Sequence, residues 1–159
     1  MRSTSRAAGE FQRAGKARTP LMEIGWREWV ALPDLNVERI KAKIDTGAKT
    51  SALHAYNIQT VERDGTAFAQ FVLHPAQRRK SPAVKCLAPI VDKRVIRSSN
   101  GVAAERIVIS TALRMGDRSW ITEISLTNRD EMGFRLLIGR DAIRKGVVIL
   151  PGRSFLLGK

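Results

Sequence analysis

The chain has 159 residues, of which 43% are hydrophobic and 6% aromatic, and it carries a formal net charge of +13. This length suits one folded domain, and the single Cys86 excludes an internal disulfide and any need for an oxidising compartment. No apolar run reaches the about 20 residues of a membrane helix, so we expect a cytoplasmic protein without a membrane partner, whose basic surface attracts anionic molecules.

The first twenty residues differ in composition from the rest of the chain. They mix basic residues with Ser, Thr, Ala and Gly, contain one acid, Glu10, and end at Pro20. This composition predicts a flexible basic arm over residues 1–20. The remaining residues, 21–159, are expected to form the folded domain.

The domain begins with the alternation that is typical of strands. IGWREWVAL leads to a turn at residues 33–36, and VERIKAKI then places Ile40, Ala42 and Ile44 between charged residues. Period two with one charged face predicts half-buried strands. A hairpin from about Ile58 to Leu73 is expected to turn at Arg63-Asp64-Gly65, because Asp-Gly is a strong hairpin signal.

Further hairpins follow, with tips at residues 98–101 and 115–117. The end of the chain predicts a buried strand, a short helical turn from about Arg140 to Lys145 with Asp141 as its cap, and a closing strand pair. The sequence therefore predicts a mostly β domain without βαβ units.

One tripeptide could carry chemistry. Asp45-Thr46-Gly47 follows the strand that ends at Ile44, so it places a carboxylate on a tight turn. Such tripeptides also occur in ordinary turns, and the motif alone is weak evidence. Its context matters more: LLIGRD, at residues 136–141, is a second apolar strand that ends in Gly and Arg.

On these motifs the chain resembles the retropepsin-like aspartic peptidases. KIDTGAKTSALHA, VIRSSNG and GFRLLIGRDAI are most similar to a bacterial family labelled ATP-dependent zinc protease, which is related to the protease found with the ribosomal-protein glutamate ligase. The resemblance implies a retropepsin-like closed β-barrel with one short C-terminal helix, and aspartic-type catalysis by Asp45. It also implies a set of residues that support the active-site loop: Thr46, Gly47, Ala48, Ile138, Gly139 and Arg140.

The resemblance implies a homodimer as well. Peptide hydrolysis of this type uses two carboxylates that share a proton, one as general base and one as general acid. This chain contains one D-T-G. Two copies of Asp45 must therefore meet across a two-fold axis.

The remaining implications concern the substrate. The hairpin tip formed by Ser98, Ser99, Asn100 and Gly101 stands where the family has its flap, so it is expected to cover a peptide or protein substrate. The basic surface favours an acidic substrate. The family's association with a glutamate ligase implies glutamate-rich or ribosomal-protein tails, with the ribosome or the ligase as partners.

Motifs for metal or nucleotide chemistry are missing from the sequence. There is no H-E-x-x-H and no G-x-x-x-x-G-K-[ST], and His54, His74 and Cys86 are too scattered to predict a zinc site. We expect no cofactor and no metal. Two alternatives to an aspartic peptidase stay open: a non-catalytic basic β-barrel that binds RNA, ribosome or acidic peptides, and a metallopeptidase with bound zinc.

Overall fold

The computed structural model describes residues 20–76, 83–97, 101–128, 133–143 and 146–158, and it confirms a mostly β fold. The strands in these ranges are β1 (Met22–Gly25), β2 (Arg27–Leu32), β3 (Val37–Ile44), β4 (Ser51–His54), β5 (Tyr56–Arg63), β6 (Thr66–Leu73), β7 (Val84–Arg97), β8 (Ala103–Met115), β9 (Arg118–Thr127), β10 (Leu136–Ile138) and β11 (Val147–Leu150). Among the described residues, helical structure is confined to two 3₁₀ turns, Pro33–Leu35 and Arg140–Ala142. Neither turn could cross a membrane. The predicted arm, apart from Pro20, lies outside the described residues.

Nine of the strands form one sheet, in the order β9-β4-β10-β3-β2-β8-β7-β6-β5. Strand β8 also pairs with β9, so the pairings link β2, β3, β4, β8, β9 and β10 in a ring. The length of β8 makes this possible: residues 108–115 pair with β9, and residues 103–109 pair with β7. Strands β7, β6 and β5 extend the sheet beyond the ring.

The predicted hairpin turns are confirmed where they are described. Strands β5 and β6 meet at the pair Arg63↔Thr66, which leaves Asp64 and Gly65 as the two loop residues. Both have positive φ, 52° and 78°. This left-handed backbone is the one that a tight Asp-Gly hairpin turn requires.

The end of the chain differs from the prediction. The short helix expected over residues 140–145 is a single 3₁₀ turn, Arg140–Ala142, and Lys145 lies outside the described residues. The closing strand pair was wrong, because β11 pairs in parallel with β1 instead of with the residues that follow it. Those residues lie beside the start of β2: the amide of Trp26, which precedes β2, donates to the Arg153 carbonyl at 2.8 Å, and the Phe155 amide donates to the Arg27 carbonyl at 3.0 Å.

The core lies on the inward faces of the strands. Ile24, Leu53 and Leu136 are fully buried and come from three parts of the chain. Cys86 packs against the same cluster, and burial raises the pKa of its thiol to about 11. The thiol is therefore protonated at neutral pH, and its Sγ lies 3.6 Å from the Leu35 carbonyl oxygen.

Glu28 is a fully buried acid that holds the end of the chain in place. Its carboxylate accepts hydrogen bonds from three backbone amides: Gly25 at 2.6 Å, Leu156 at 2.9 Å and Leu157 at 3.0 Å. A buried carboxylate is costly unless such donors satisfy it. Glu28 thus ties residues 153–158 to the turn between β1 and β2.

We expect the variant Glu28→Ala to lower the free energy of unfolding by about 3 kcal/mol, because it leaves three amide donors without their acceptor. Denaturant titration followed by circular dichroism measures the change. Glu23→Ala is the matched control, because Glu23 is exposed on β1 and should change stability by less than about 0.5 kcal/mol. Equal midpoints for the two variants would contradict the role given to Glu28.

Candidate active site

Asp45 stands directly after β3, where the strand leaves the sheet. Its amide donates to the Ile138 carbonyl at 2.8 Å, which continues the parallel pairing of β3 with β10 by one residue. The residue is half-buried. The sheet therefore fixes the backbone of Asp45 while the side chain remains accessible.

The turn that follows is closed on the Asp45 residue itself. The Gly47 amide donates to Asp45 Oδ1 at 3.1 Å, and the Ala48 amide donates to the Asp45 carbonyl at 3.2 Å. A carboxylate that accepts a hydrogen bond two residues ahead forms an Asx turn. This turn limits the rotation of the Asp45 carboxylate.

Gly139 brings the second motif against the first. A Cβ atom at this position would lie 2.9 Å from the carbonyl oxygens of Ala48 and Lys49 and 2.8 Å from the carbonyl carbon of Thr50. Only glycine permits this approach. The Arg140 amide then donates to the Ala48 carbonyl at 2.8 Å. We call the contact between residues 45–50 and residues 138–141 the loop interlock.

Two serines complete the loop interlock, and neither was predicted from the sequence. The Gly139 amide donates to Ser51 Oγ at 3.0 Å, and Ser125 Oγ donates to the Ser51 carbonyl at 2.8 Å. Both serines are fully buried. The sequence offered one signal, the serine that begins the apolar stretch SALHA, because a buried hydroxyl needs a hydrogen-bond partner.

Charged side chains cover the outer side of the loop interlock. Arg140 Nη1 lies 3.3 Å from the Thr46 carbonyl oxygen and 3.5 Å from that of Gly47. Lys49 forms an ion pair with Asp141 at 3.0 Å. The prediction that Asp141 caps the short helix was wrong: Gly139 is the N-cap, no side chain caps the turn, and Asp141 is bound to Lys49 instead.

The structure thus brings together seven of the predicted site residues: Asp45, Thr46, Gly47, Ala48, Ile138, Gly139 and Arg140. The predicted flap residues Ser98, Ser99 and Asn100 lie outside the described residues. Gly101 is exposed, has a φ of 86°, and its carbonyl accepts a bond from Arg97 Nη1 at 2.8 Å. The flap therefore stays a prediction.

The base of this hairpin is anchored by one arginine. Arg94 binds Asp92 at 2.6 Å and Glu123, on β9, at 2.5 Å. The hydrogen bond from the Arg94 side chain, followed by the one from the Lys93 amide, lowers the pKa of Asp92. The ion pair with Glu123 connects β7 to β9 across β8, whereas Asp92 and Arg94 both lie on β7.

Both histidines pack against one tyrosine ring. The His54 ring packs edge-on against Tyr56 with 4.7 Å between the ring centroids, and His74 packs on Tyr56 at 4.5 Å. The part of the chain that the structure describes contains no group of three or more His, Cys, Asp or Glu side chains arranged to hold a metal ion.

Comparison with known proteins identifies relatives of this chain. The chain is 43% identical to a "Probable alpha-L-glutamate ligase" from Shewanella pealeana and to one from Desulfotalea psychrophila. Each of these two alignments spans 136 residues, which is 86% of this chain. It spans only about 30% of the length of these curated relatives. A crystal structure of Lpg0085, a Legionella pneumophila protein of unknown function, matches with a TM-score of 0.72 and 29% identity, over 85% of this chain and 97% of that one.

A family model described as retropepsin-like aspartic endopeptidase RimB matches residues 23–159. The matched range includes every strand described above except Met22, the first residue of β1, together with both sides of the loop interlock and the hairpin formed by β7 and β8. The chain therefore belongs to the RimB-like family of retropepsin-like aspartic endopeptidases.

Proposed function

We propose that the chain is a homodimeric aspartic peptidase that hydrolyses peptide bonds with two copies of Asp45. The observation that carries this proposal is the presentation of one accessible carboxylate on a turn that the loop interlock holds rigid. A rigid mounting is what a catalytic group needs, because misplacement by about 1 Å can cost about a hundredfold in rate.

One carboxylate cannot complete the reaction, so a second copy of the chain supplies the other. An ionised carboxylate removes a proton from water as the water oxygen attacks the peptide carbonyl carbon. The other, protonated carboxylate gives its proton to the carbonyl oxygen. The proton taken from water then passes to the amide nitrogen and the C–N bond breaks, while a hydroxyl of the tetrahedral intermediate returns its proton to the second carboxylate. A carboxylic acid and an amine leave, and the dyad again holds one proton.

The neighbouring residues divide the supporting roles. Ala48, Ile138 and Gly139 maintain the loop interlock, while Arg140 orients the carbonyl groups of Thr46 and Gly47. The Thr46 hydroxyl locks the two loops across the dimer axis, and the Gly47 carbonyl faces the substrate backbone. The hairpin tip at residues 98–101 covers the substrate and excludes water.

The proposed substrates are acidic, glutamate-rich tails, including those of ribosomal proteins, in the cytoplasm. Two features support this assignment: the net charge of +13, and the name of the curated relatives, which is that of a glutamate ligase. An enzyme that acts on glutamate-rich tails would encounter a ligase or the ribosome as partners. Close to Asp45, the exposed Arg140 offers a cation to such a substrate, whereas Lys49 is already paired with Asp141.

We expect the variant Asp45→Asn to lower kcat/KM for a glutamate-rich peptide by about a thousandfold or more, because the amide can act neither as base nor as acid. The assay is peptide cleavage followed by mass spectrometry from acidic to neutral pH. Asp64→Asn is the matched control, since it removes an exposed carboxylate at the β5–β6 turn, outside both the proposed dyad and the loop interlock. The wild-type rate should be unchanged by a chelator; a rate that falls with chelation, or survives in Asp45→Asn, would refute the aspartic mechanism.

We expect the variant Gly139→Ala to reduce kcat about a hundredfold and stability by about 2 kcal/mol, because its methyl group pushes the two loops apart. Gly133→Ala is the control, because Gly133 has no atom within 4 Å of the added Cβ. Thermal melting and the same cleavage assay measure both effects. Full activity in Gly139→Ala would show that the loop interlock does not position the catalytic group.

A further inference from the structure

A second site is suggested by the outer surface of three neighbouring strands, β3, β2 and β8. Arg27 pairs with Lys43, which places two cations beside one another, while Lys41 pairs with Trp29 and Arg114 pairs with Ala31. Arg39 continues the same row on β3. We call this surface the basic-aromatic face; its members are Arg27, Arg39, Lys41, Lys43, Arg114, Trp29 and Phe155.

The positive charge of this face is not balanced within the part of the chain that the structure describes. None of its five cations has an acidic side chain within salt-bridge distance there. Arg27 donates to the Ser154 hydroxyl at 3.3 Å instead. Like charges directly opposite on adjacent strands, such as Arg27 and Lys43, are destabilising. A bound polyanion would remove that repulsion.

Aromatic rings are interleaved with these cations. Trp29 and Phe155 are stacked, with their ring centroids 5.9 Å apart at an angle of 22°. The Arg39 guanidinium lies 4.0 Å from the centre of the Trp29 ring, and the Lys41 ammonium lies 5.2 Å from it. Cations near flat rings are what proteins use to bind single-stranded nucleic acid, because phosphates meet the charge while bases stack.

The backbone is strained where it supplies one of these rings. Phe155 has a φ of 56°, in the left-handed region that bulky side chains rarely occupy. The conformation costs on the order of 1 kcal/mol or more and persists only where surrounding contacts impose it. The hydrogen bonds that the Leu156 and Leu157 amides donate to Glu28 impose this backbone conformation on Phe155, and they hold the Phe155 ring against Trp29.

A groove runs beside Trp29, with a volume of about 190 Å³ and a lining that includes Arg39, Arg114, Gly158 and Glu38. Glu38 is exposed, and its carboxylate would repel the carboxylates of an acidic peptide. It would accept a hydrogen bond from a ribose 2′-hydroxyl, which DNA lacks. This acid among the cations favours RNA as the ligand.

We propose that the basic-aromatic face binds single-stranded RNA, with its cations on the phosphates and its rings and guanidinium groups against the bases. This site does not use Asp45, so it is independent of the peptidase proposal. Asp45→Asn should bind RNA as the wild type does, and the two proposals can therefore fail separately.

The test is fluorescence anisotropy with a labelled oligouridylate of about 12 nucleotides, a length within the range of such sites, at several salt concentrations. We expect Arg39→Gln/Lys41→Gln/Arg114→Gln to weaken binding at least tenfold. It should also reduce the slope of log Kd against log salt by about 2, since three phosphate contacts are lost. The control, Arg63→Gln/Lys85→Gln/Lys93→Gln, removes the same charge from exposed positions elsewhere and should weaken binding about twofold.

A ring variant separates stacking from charge. Trp29→Leu should weaken binding about tenfold at every salt concentration with an unchanged slope, provided that its melting curve confirms a folded protein; Trp29→Phe should restore most of the affinity. Equal losses in the two triple variants, or full affinity in a folded Trp29→Leu, would overturn the proposal. So would equal binding of a matched oligodeoxythymidylate, or displacement of the RNA by a glutamate-rich peptide of the same charge.

Discussion

The loop interlock is the contact on which the rest of the molecule depends. Two backbone segments far apart in sequence approach so closely at Gly139 that no side chain fits between them. This approach is stabilised by amide–carbonyl bonds on both sides of the glycine and by the Ser51 hydroxyl. It joins β3, β4 and β10 at one end of the sheet, and it is also where Asp45 is presented. The same hydrogen bonds therefore stabilise the fold and position the candidate active site.

Much of this arrangement could be predicted from local signals. The alternation in VERIKAKI predicts β3, and the Asp64-Gly65 turn identifies the hairpin of β5 and β6, because both follow from short-range rules of strand and turn geometry. The D-T-G and LLIGRD motifs identify the residues of the loop interlock through resemblance to a family. The contact between these two segments, which are far apart in sequence, could be predicted only through that resemblance.

The features that were missed arise from contacts between distant residues. Asp141 is adjacent to a predicted helix start, so local rules make it a cap, but Lys49 lies within 3.0 Å of it in the folded chain. The last residues look like a strand pair, yet Glu28 and Arg27 of β2 accept the amide hydrogen bonds of residues 155–157. Likewise the ring of Phe155 meets Trp29 only after folding, so the sequence showed charge without its interleaved aromatics.

The central claim is that two chains share one catalytic centre, and subunit mixing tests it most directly. Wild-type protein is mixed with increasing amounts of Asp45→Asn, native mass spectrometry of differently tagged copies confirms that subunits exchange, and cleavage is measured at constant total protein. If both copies of Asp45 are required, only wild-type dimers are active, and the rate falls with the square of the wild-type fraction. A rate that falls in simple proportion to that fraction, after complete exchange, would mean that each chain works alone and would contradict the shared centre.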